Sequence, residues 1–509
     1  MITRTQSDTS EQLRSQRIAG GILQMQVLNS FDMVAIFVAI VLYITNVAGL
    51  ASAGPVSFLY LLLGFITFLI PGAIVTGQLG LMFPNEGSIY VWTHKAFGAF
   101  MGFFIGFCAW WPGLLVIIVA GTTVVALIKN LGVLFNTTLL ANPWEQGVVI
   151  LGVIAFSFVM SILRIRATQN LVNVIFISYG SAILLIGLAG AIWFLSGQKP
   201  YTDVSFASSG WSPNSSNFTI YGFVILALLG VEVPLNMGAE LRNTKAITRY
   251  LLWGSIVVMV AYLIGTFAVM VAVPTSDQSN PASIVIAVRN AFGPAGTIMA
   301  TIVTCILIGF FLFSASVYNY SFGRLLFVSG LDRHLPTTIS RVNANRVPWL
   351  AVLVQSIITG IIAFAIYVML PLIITSVKPD DLATIIYYIL NGALTVMWAI
   401  SMIFLFIDVI VIRFKYRDAF AQVRLAPDWV FYLCSVLGLL ANAVAFYVTF
   451  TAPWIPALID EGPWVSWIIA LCVLSLLAGV AVYFIGHRTV RTEVNDEQVK
   501  REALGQLVE

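Results

Sequence analysis

Twelve stretches of this chain are long and apolar enough to cross a membrane, and any fold has to accommodate them. About 20 apolar residues span a hydrocarbon core. The stretches run over 29–53, 55–83, 97–128, 146–163, 171–195, 218–240, 250–273, 295–326, 348–374, 383–412, 430–451 and 464–485, with approximate ends. Of the residues, 60% are hydrophobic and 9% charged, against about 25% charged in a soluble domain. One water-soluble core cannot hold that much apolar surface. Lipid is therefore the solvent, and the expected class is an all-α membrane protein of twelve transmembrane helices. The short fourth stretch and the long third and eighth predict tilted helices.

The basic residues give an orientation. With an even number of spans and the N-terminus inside, inner segments hold 21 of the 25 lysines and arginines, from Arg4, Arg14 and Arg17 through Lys95, Arg166 and Arg324 to Arg491, Lys500 and Arg501. The outer segments hold Lys129, Lys199, Arg289 and Lys378. Cytoplasmic loops carry such an excess, so both termini are expected in the cytoplasm of a multi-pass protein of the bacterial inner membrane. Met1–Gln26 is polar and has no signal-peptide core, so the first span is expected to stay in place.

Several function classes drop out. No basic run sits beside stacking aromatics, which excludes a nucleic-acid partner. Cys108, Cys305, Cys434 and Cys472 lie in apolar stretches without a paired motif and read as packing residues. His94, His334 and His487 fall in inner loops or the tail. No metal-ligand spacing, catalytic motif or phosphate-binding loop is present. The chain is thus expected to be no enzyme, to carry no cofactor or metal, and to draw any pumping energy from a gradient.

Two spans look broken. In lipid a helix satisfies its own backbone, and breaks survive where they line a cavity. The first span reads Val41-Leu-Tyr-Ile-Thr-Asn-Val-Ala-Gly49 and the sixth Leu228-Leu-Gly-Val-Glu-Val-Pro234. They lie five spans apart, the spacing of a five-plus-five inverted repeat. Glu232 stands out because an intramembrane carboxylate costs roughly 2.5–3.5 kcal/mol to insert. It reads as a gating, proton-handling or amine-binding group, or else as a cap on a broken helix. Asp32 and Asp408 are expected near the inner ends of their spans, where solvation is cheap.

Three segments resemble the amino acid–polyamine–organocation (APC) superfamily. Gly77-Gln-Leu-Gly-Leu-Met-Phe-Pro-Asn-Glu-Gly-Ser-Ile-Tyr-Val-Trp92, running into Lys95-Ala-Phe-Gly98, is similar to its second-span exit. Leu229-Gly-Val-Glu232 with Ala239-Glu240 and Asn243 is similar to its sixth span. Ser321-Phe-Gly-Arg-Leu-Leu-Phe-Val-Ser-Gly-Leu-Asp-Arg-His-Leu-Pro336, then Val342-Asn and Val347-Pro348, resembles its loop after the eighth. The resemblance runs over about residues 28–416. It implies a LeuT-type fold: a cytoplasmic segment 1–27, inverted repeats over 28–198 and 214–416, accessory helices over 428–485 and a cytoplasmic tail 486–509. It also implies alternating-access transport of amino acids or related amines, coupled to a proton, to sodium or to exchange.

The family's usual first-span break, G-[ST]-G-I-F, is missing here. Counting from Phe31-Asp32 places the break at Tyr43–Val47; counting back from Ala53-Gly54-Pro55 places it earlier. Thr45 and Asn46 could replace bare amides with side-chain donors. The substrate contacts the resemblance implies are Tyr43, Ile44, Thr45, Asn46, Trp110, Gly113, Leu226, Gly230, Val231 and Glu232. For Trp110, packing is an equal reading. Glu240 and Arg324 could pair as an inner gate or be solvated loop charges. Ser178, Ser181, Ser314 and Ser316 could supply oxygens at the sodium position of other LeuT-type proteins, or pack helices. Transport of another organic cation or a nucleobase-like solute, and a transport-inactive sensor or scaffold, stay open as alternatives.

Overall fold

The computed structural model describes residues 13–23, 26–214, 217–373, 379–451, 453–454 and 459–505. Arg4 and Lys378 of the orientation count lie outside these, as do the side chains of His487, Arg491, Lys500 and Arg501.

Among the described residues, eleven helices are long and apolar enough to cross a membrane. They are Ser30–Ser52, Val56–Met82, Ala99–Leu134, Pro143–Ile162, Ile165–Leu195, Lys245–Ala272, Gly293–Leu331, Trp349–Ile373, Ile385–Lys415, Asp428–Thr451 and Glu461–Val490. The sixth apolar stretch behaves differently. It forms a helix over Ile220–Leu228 and then only 3-10 turns, at Val233–Asn236 and Gly238–Glu240. Apolar segments are numbered below in chain order, so Lys245–Ala272 is the seventh span.

Burial separates centre from rim. In its most apolar window the first span is 89% buried in protein and the ninth 22%. A side chain that meets lipid needs no protein partner, so rim helices carry exposed Leu, Ile and Val, such as Leu184, Ile361 and Leu474. Cys305 is exposed as well, while Cys108, Cys434 and Cys472 are buried, and all four are free thiols.

Proline shapes two rim helices. Pro71 and Pro371 each follow a π-helical turn, Phe65–Leu69 and Ala365–Met369. Proline has no amide hydrogen, and the wider turn absorbs the lost bond. Short helices also follow the second span, Ser88–Phe97, and the seventh, Ser283–Ala291.

The aspartates depart from expectation. Asp32 and Asp408 are both 0% exposed, so water does not solvate them. Asp32 closes a capping box with Asn29 at the start of the first span. It also takes bonds from Arg166 and Asn173, both at 2.7 Å. Asp408 accepts from Thr93 Oγ1 at 2.6 Å, and its other oxygen has no hydrogen-bond partner. Packing of neighbouring helices over the span ends excludes the water that sequence position alone would allow.

Candidate functional site

The first span is helical over Ser30–Val41, leaves the helix at Leu42, turns through Ile44–Asn46 and resumes over Val47–Ser52. The count from Phe31-Asp32 therefore gives the position of the break, and the count from Pro55 does not. No glycine or proline forces the break. Hydroxyls from other helices hold it open by accepting the work of the missing helix bonds. Ser314 Oγ donates to Ala39 O at 2.6 Å and Tyr318 Oη to Ile40 O at 2.5 Å. Tyr179 Oη donates to Leu42 O at 2.8 Å and accepts the amide of Ile44 at 3.2 Å. Tyr262 Oη lies within 3.1–3.3 Å of the carbonyls of Val41, Tyr43 and Ala227, and so ties the two broken spans together.

The sixth span breaks at Leu229, which is extended, and Gly230, whose φ is +104°. A side chain rarely adopts that backbone. A Cβ there would also lie 2.6 Å from Ile40 of the first span. Gly49 has a related reason: a Cβ would come within 2.6 Å of Phe223. The two breaks thus meet closely.

Where they meet lies a cavity of about 30 Å³, close to one water's share of liquid volume. Ile40, Val41, Tyr43 and Asn46 line it from the first span, Leu226 and Leu229 from the sixth. Val116, Val119, Tyr318, Asn391, Leu394 and Trp398 complete it from the third, eighth and tenth. Asn391 is hydrogen-bonded to the carbonyl of Tyr387, one turn earlier on the same helix. Tyr387 lines a second cavity of about 440 Å³ with Lys129, Asp277 and Tyr367.

Of the expected contacts, the structure brings Tyr43, Asn46 and Leu226 to the cavity. Ile44 and Thr45 are buried in the break but do not line it, and Ile44 packs toward Gly265 of the seventh span. Val231 turns toward Gly72 of the second. Gly230 shapes the cavity from behind, through its approach to Ile40 and Trp398. Glu232 stands one residue back from the cavity: its Oε1 accepts from Trp398 Nε1 at 2.8 Å, and its Oε2 has no hydrogen-bond partner.

Trp110 and Gly113 are displaced from the expected role. Trp110 donates to Gln355 of the ninth span at 2.8 Å, and Gln355 in turn holds Asn319. Gly113 gives Phe322 room, since a Cβ would sit 2.6 Å from its ring. Helix rotation explains both: Val116 and Val119, further along the third span, face the cavity instead.

The four serines do not converge. Ser181 bonds Ser178 on the exposed face of the fifth span. Ser316 bonds Leu312 of its own helix at 3.1 Å. Ser314 alone reaches the first-span break.

Glu240 and Arg324 are in contact, Nη2 to Oε1 at 2.9 Å, and both are buried rather than solvated. A third charge joins them. Glu86, from the exit of the second span, places Oε2 at 4.0 Å from Arg324 Nε. Around this cluster three chain segments are stitched together. The amides of Val27 and Leu28 donate to Glu240 O, and Gly87 N donates to Asn236 O. Ser88 Oγ donates to Asn236 Oδ1 at 2.7 Å.

Sequence reasoning missed Trp398, Tyr318, Asn391 and Glu86. Asn391 carried a signal, a lone amide within an apolar span. The tyrosines and tryptophan carried none, because aromatics are ordinary core residues.

A helical bundle with two apposed helix breaks around a central cavity and a buried charge cluster nearby has the architecture of a membrane permease. Residues 28–485 match the sequence profile of the family described as amino acid permease. The chain belongs to this family of APC transporters. It is 24% identical over 446 residues to an uncharacterized transporter of Legionella pneumophila, covering 84% of this chain and 90% of that one. It is 23% identical to a probable agmatine/putrescine antiporter of Lactococcus lactis, covering 67% and 72%. It is 25% identical to an aromatic amino acid transport protein of Corynebacterium glutamicum, covering 70% and 75%. Among solved structures, MhsT in complex with L-phenylalanine aligns with a TM-score of 0.58 at 15% identity, over 84% of this chain and 98% of that one. This likeness establishes the LeuT-type fold. The chain is accordingly a multi-pass integral membrane transporter, and its family is one of permeases rather than enzymes.

Proposed function

We propose that this permease moves amino acids or related amines by alternating access, as a gradient-driven symporter or exchanger. The observation that carries this reading is the central cavity formed where the two helix breaks meet, ringed by Tyr43, Tyr318 and Trp398 with Glu232 behind Trp398. Two helix C-termini, at Val41 and Leu228, end beside it. Such ends carry partial negative charge, and aromatic faces attract cations. Once the cavity widens, these groups therefore favour an amine with its cationic end toward them.

The proposed organisation is two inverted repeats over 28–198 and 214–416, accessory helices over 428–485, and both termini in the cytoplasm. The short helices Ser88–Phe97 and Ser283–Ala291, at matching places after the second and seventh spans, favour the repeat. The 21-to-4 distribution of basic residues favours the orientation. In it, Glu86, Glu240 and Arg324 seal the inner side, and the 440 Å³ cavity lies on the outer side. A central cavity of 30 Å³ has to widen to admit any solute, which is what alternating access provides.

A second reading is an organic cation without a carboxylate. Among the described residues no lysine, arginine or histidine lines the central cavity, so none of them would pair there with a carboxylate.

Flux in proteoliposomes tests both. Vesicles loaded with unlabelled amino acids and polyamines should take up one labelled compound, and Gly230→Phe should abolish that uptake. Uptake confined to carboxylate-free amines selects the second reading. No uptake of any solute by well-inserted protein overturns the transport reading and favours a sensor.

A further inference from the structure

Two carboxylates and one guanidinium share the inner seal, and the count does not balance. Glu86 and Glu240 face a single cation, Arg324, and the three side chains are 0–1% exposed. With both acids ionised, one negative charge stays uncompensated away from water, an arrangement that proteins avoid by taking up a proton.

The hydrogen bonds show where the proton belongs. Arg324 commits Nη2 to Glu240 Oε1 at 2.9 Å and Nη1 to the carbonyl of Tyr320 at 3.2 Å. Glu86 Oε1 accepts the amide of Ala239 at 3.1 Å. Glu86 Oε2, Glu240 Oε2 and Arg324 Nε are all buried without a hydrogen-bond partner. A hydrogen on Glu86 Oε2 turns one of the two orphan acceptors into a donor, in a cluster where Glu240 Oε2 lacks one.

We propose that the Glu86–Glu240–Arg324 cluster binds one proton, held on Glu86, while the inner seal is closed, and releases it to the inner solution when the seal opens. Binding stands on the cluster alone, and release on opening rests on the transport reading above. Glu86 also lines a cavity of about 360 Å³ with Gln16, Gln26, Arg242 and Asn243. That cavity gives the proton a path to the inner face. Arg242 is exposed there and bonds the carbonyl of Gln26 at 3.3 Å, so it does not neutralise Glu86. On Ser88–Phe97, Ser88 is engaged with Asn236. Burial first, and the negative charge of Glu240 second, push the Glu86 carboxyl well above its ordinary range. Arg324 and the amides of Ala239 and Glu240 oppose them.

The sign of the pH effect follows. A carboxyl raised in the folded state holds a proton that the unfolded chain has lost, so its contribution is present at low pH and disappears as pH rises. The full chain in lipid nanodiscs, without substrate, tests this through its unfolding temperature across the acidic-to-alkaline range. The wild type should lose stability as pH rises. Glu86→Gln and Glu240→Gln should each flatten the profile by one proton, since either leaves one carboxylate for one arginine. The double variant Glu86→Gln/Glu240→Gln should unfold below both singles, because Arg324 is then unpaired. Subtracting each variant from the wild type removes the titration of Glu232 and Asp408. A wild-type profile unchanged in Glu86→Gln overturns the proposal. So does stabilisation by sodium or potassium at fixed pH that Glu86→Gln abolishes, since a metal ion would then hold the place of the proton. Should Glu86→Gln not fold, Glu240→Gln and the wild-type profile decide alone, and a flat wild-type profile is fatal. Failure of solute flux leaves this test intact, because no step in it uses a substrate.

Discussion

The broken centre and the Glu86–Glu240–Arg324 cluster face the same problem and solve it with different chemistry. Each removes polar groups from water inside an apolar bundle. At the centre, hydroxyls from Tyr179, Tyr262, Ser314 and Tyr318 lie within hydrogen-bond distance of the carbonyls of Ala39 to Tyr43, with the single Tyr262 hydrogen shared between Val41 and Tyr43. The cluster instead pairs full charges, Arg324 against Glu240 at 2.9 Å, with the Glu86 carboxyl 4.0 Å away. Neutral partners cost little desolvation and exchange easily, which suits the reshaping around a solute that the proposed transport requires. Charges cost much to bury and much to separate, which suits the barrier proposed above.

Removing the shared cation breaks the comparison most severely. Arg324→Ala leaves the Glu240 carboxylate buried without its cation, beside the Glu86 carboxyl, and should cost about 3–5 kcal/mol of stability, read by chemical or thermal unfolding. A loss below about 1 kcal/mol would mean the seal is solvated like a surface pair.

Next comes the closest approach of the two breaks. Gly230→Ala places a Cβ against Ile40 on a backbone at φ +104°. It should lower stability by about 1–3 kcal/mol and suppress flux more strongly than that loss accounts for. Wild-type flux in a folded Gly230→Ala protein would show that the breaks do not need their close contact.

Tyr262→Phe probes the neutral chemistry alone. It strips one hydroxyl from three carbonyls, and interhelical bonds in membranes are worth about 0.6 kcal/mol on average and up to about 1.7. The expected loss is about 1–2 kcal/mol, well below Arg324→Ala, in the same unfolding assay. Equal losses would erase the distinction between the two regions.

Ser316→Ala should do least. Its hydroxyl returns to its own helix at Leu312, a bond of little net worth. Flux, its sodium dependence and stability should match wild type, with stability within about 0.5 kcal/mol. A lost sodium dependence would restore the serine cation site that the side-chain directions argue against.

The contrast also shows which features the sequence could carry. Gly230 and Pro234 announce the sixth-span break, because each removes helix-forming ability locally. The first-span break has no such residue. Spacing left two places for it, and its cause, the hydroxyls of Tyr179, Tyr262, Ser314 and Tyr318, comes from the fifth, seventh and eighth spans. Glu240 and Arg324 were legible as charges near span ends. Glu86 was hidden in an exit motif, and its role exists only because the chain returns beside it. Trp110 pointed elsewhere because a helix that is apolar all round gives no periodicity by which to orient its faces.

Residue order alone determined that this chain lives in lipid, about where it crosses, and that the sixth crossing is broken, since transfer of apolar side chains and the local cost of glycine and proline are properties of a segment. Tertiary structure decided which side chains meet in the cavity, that Trp398 stands between it and Glu232, and that a third charge joins the inner seal. Those depend on helix rotation and on contacts between residues far apart in sequence, such as Glu86 and Arg324, and packing sets both only once every helix is in place.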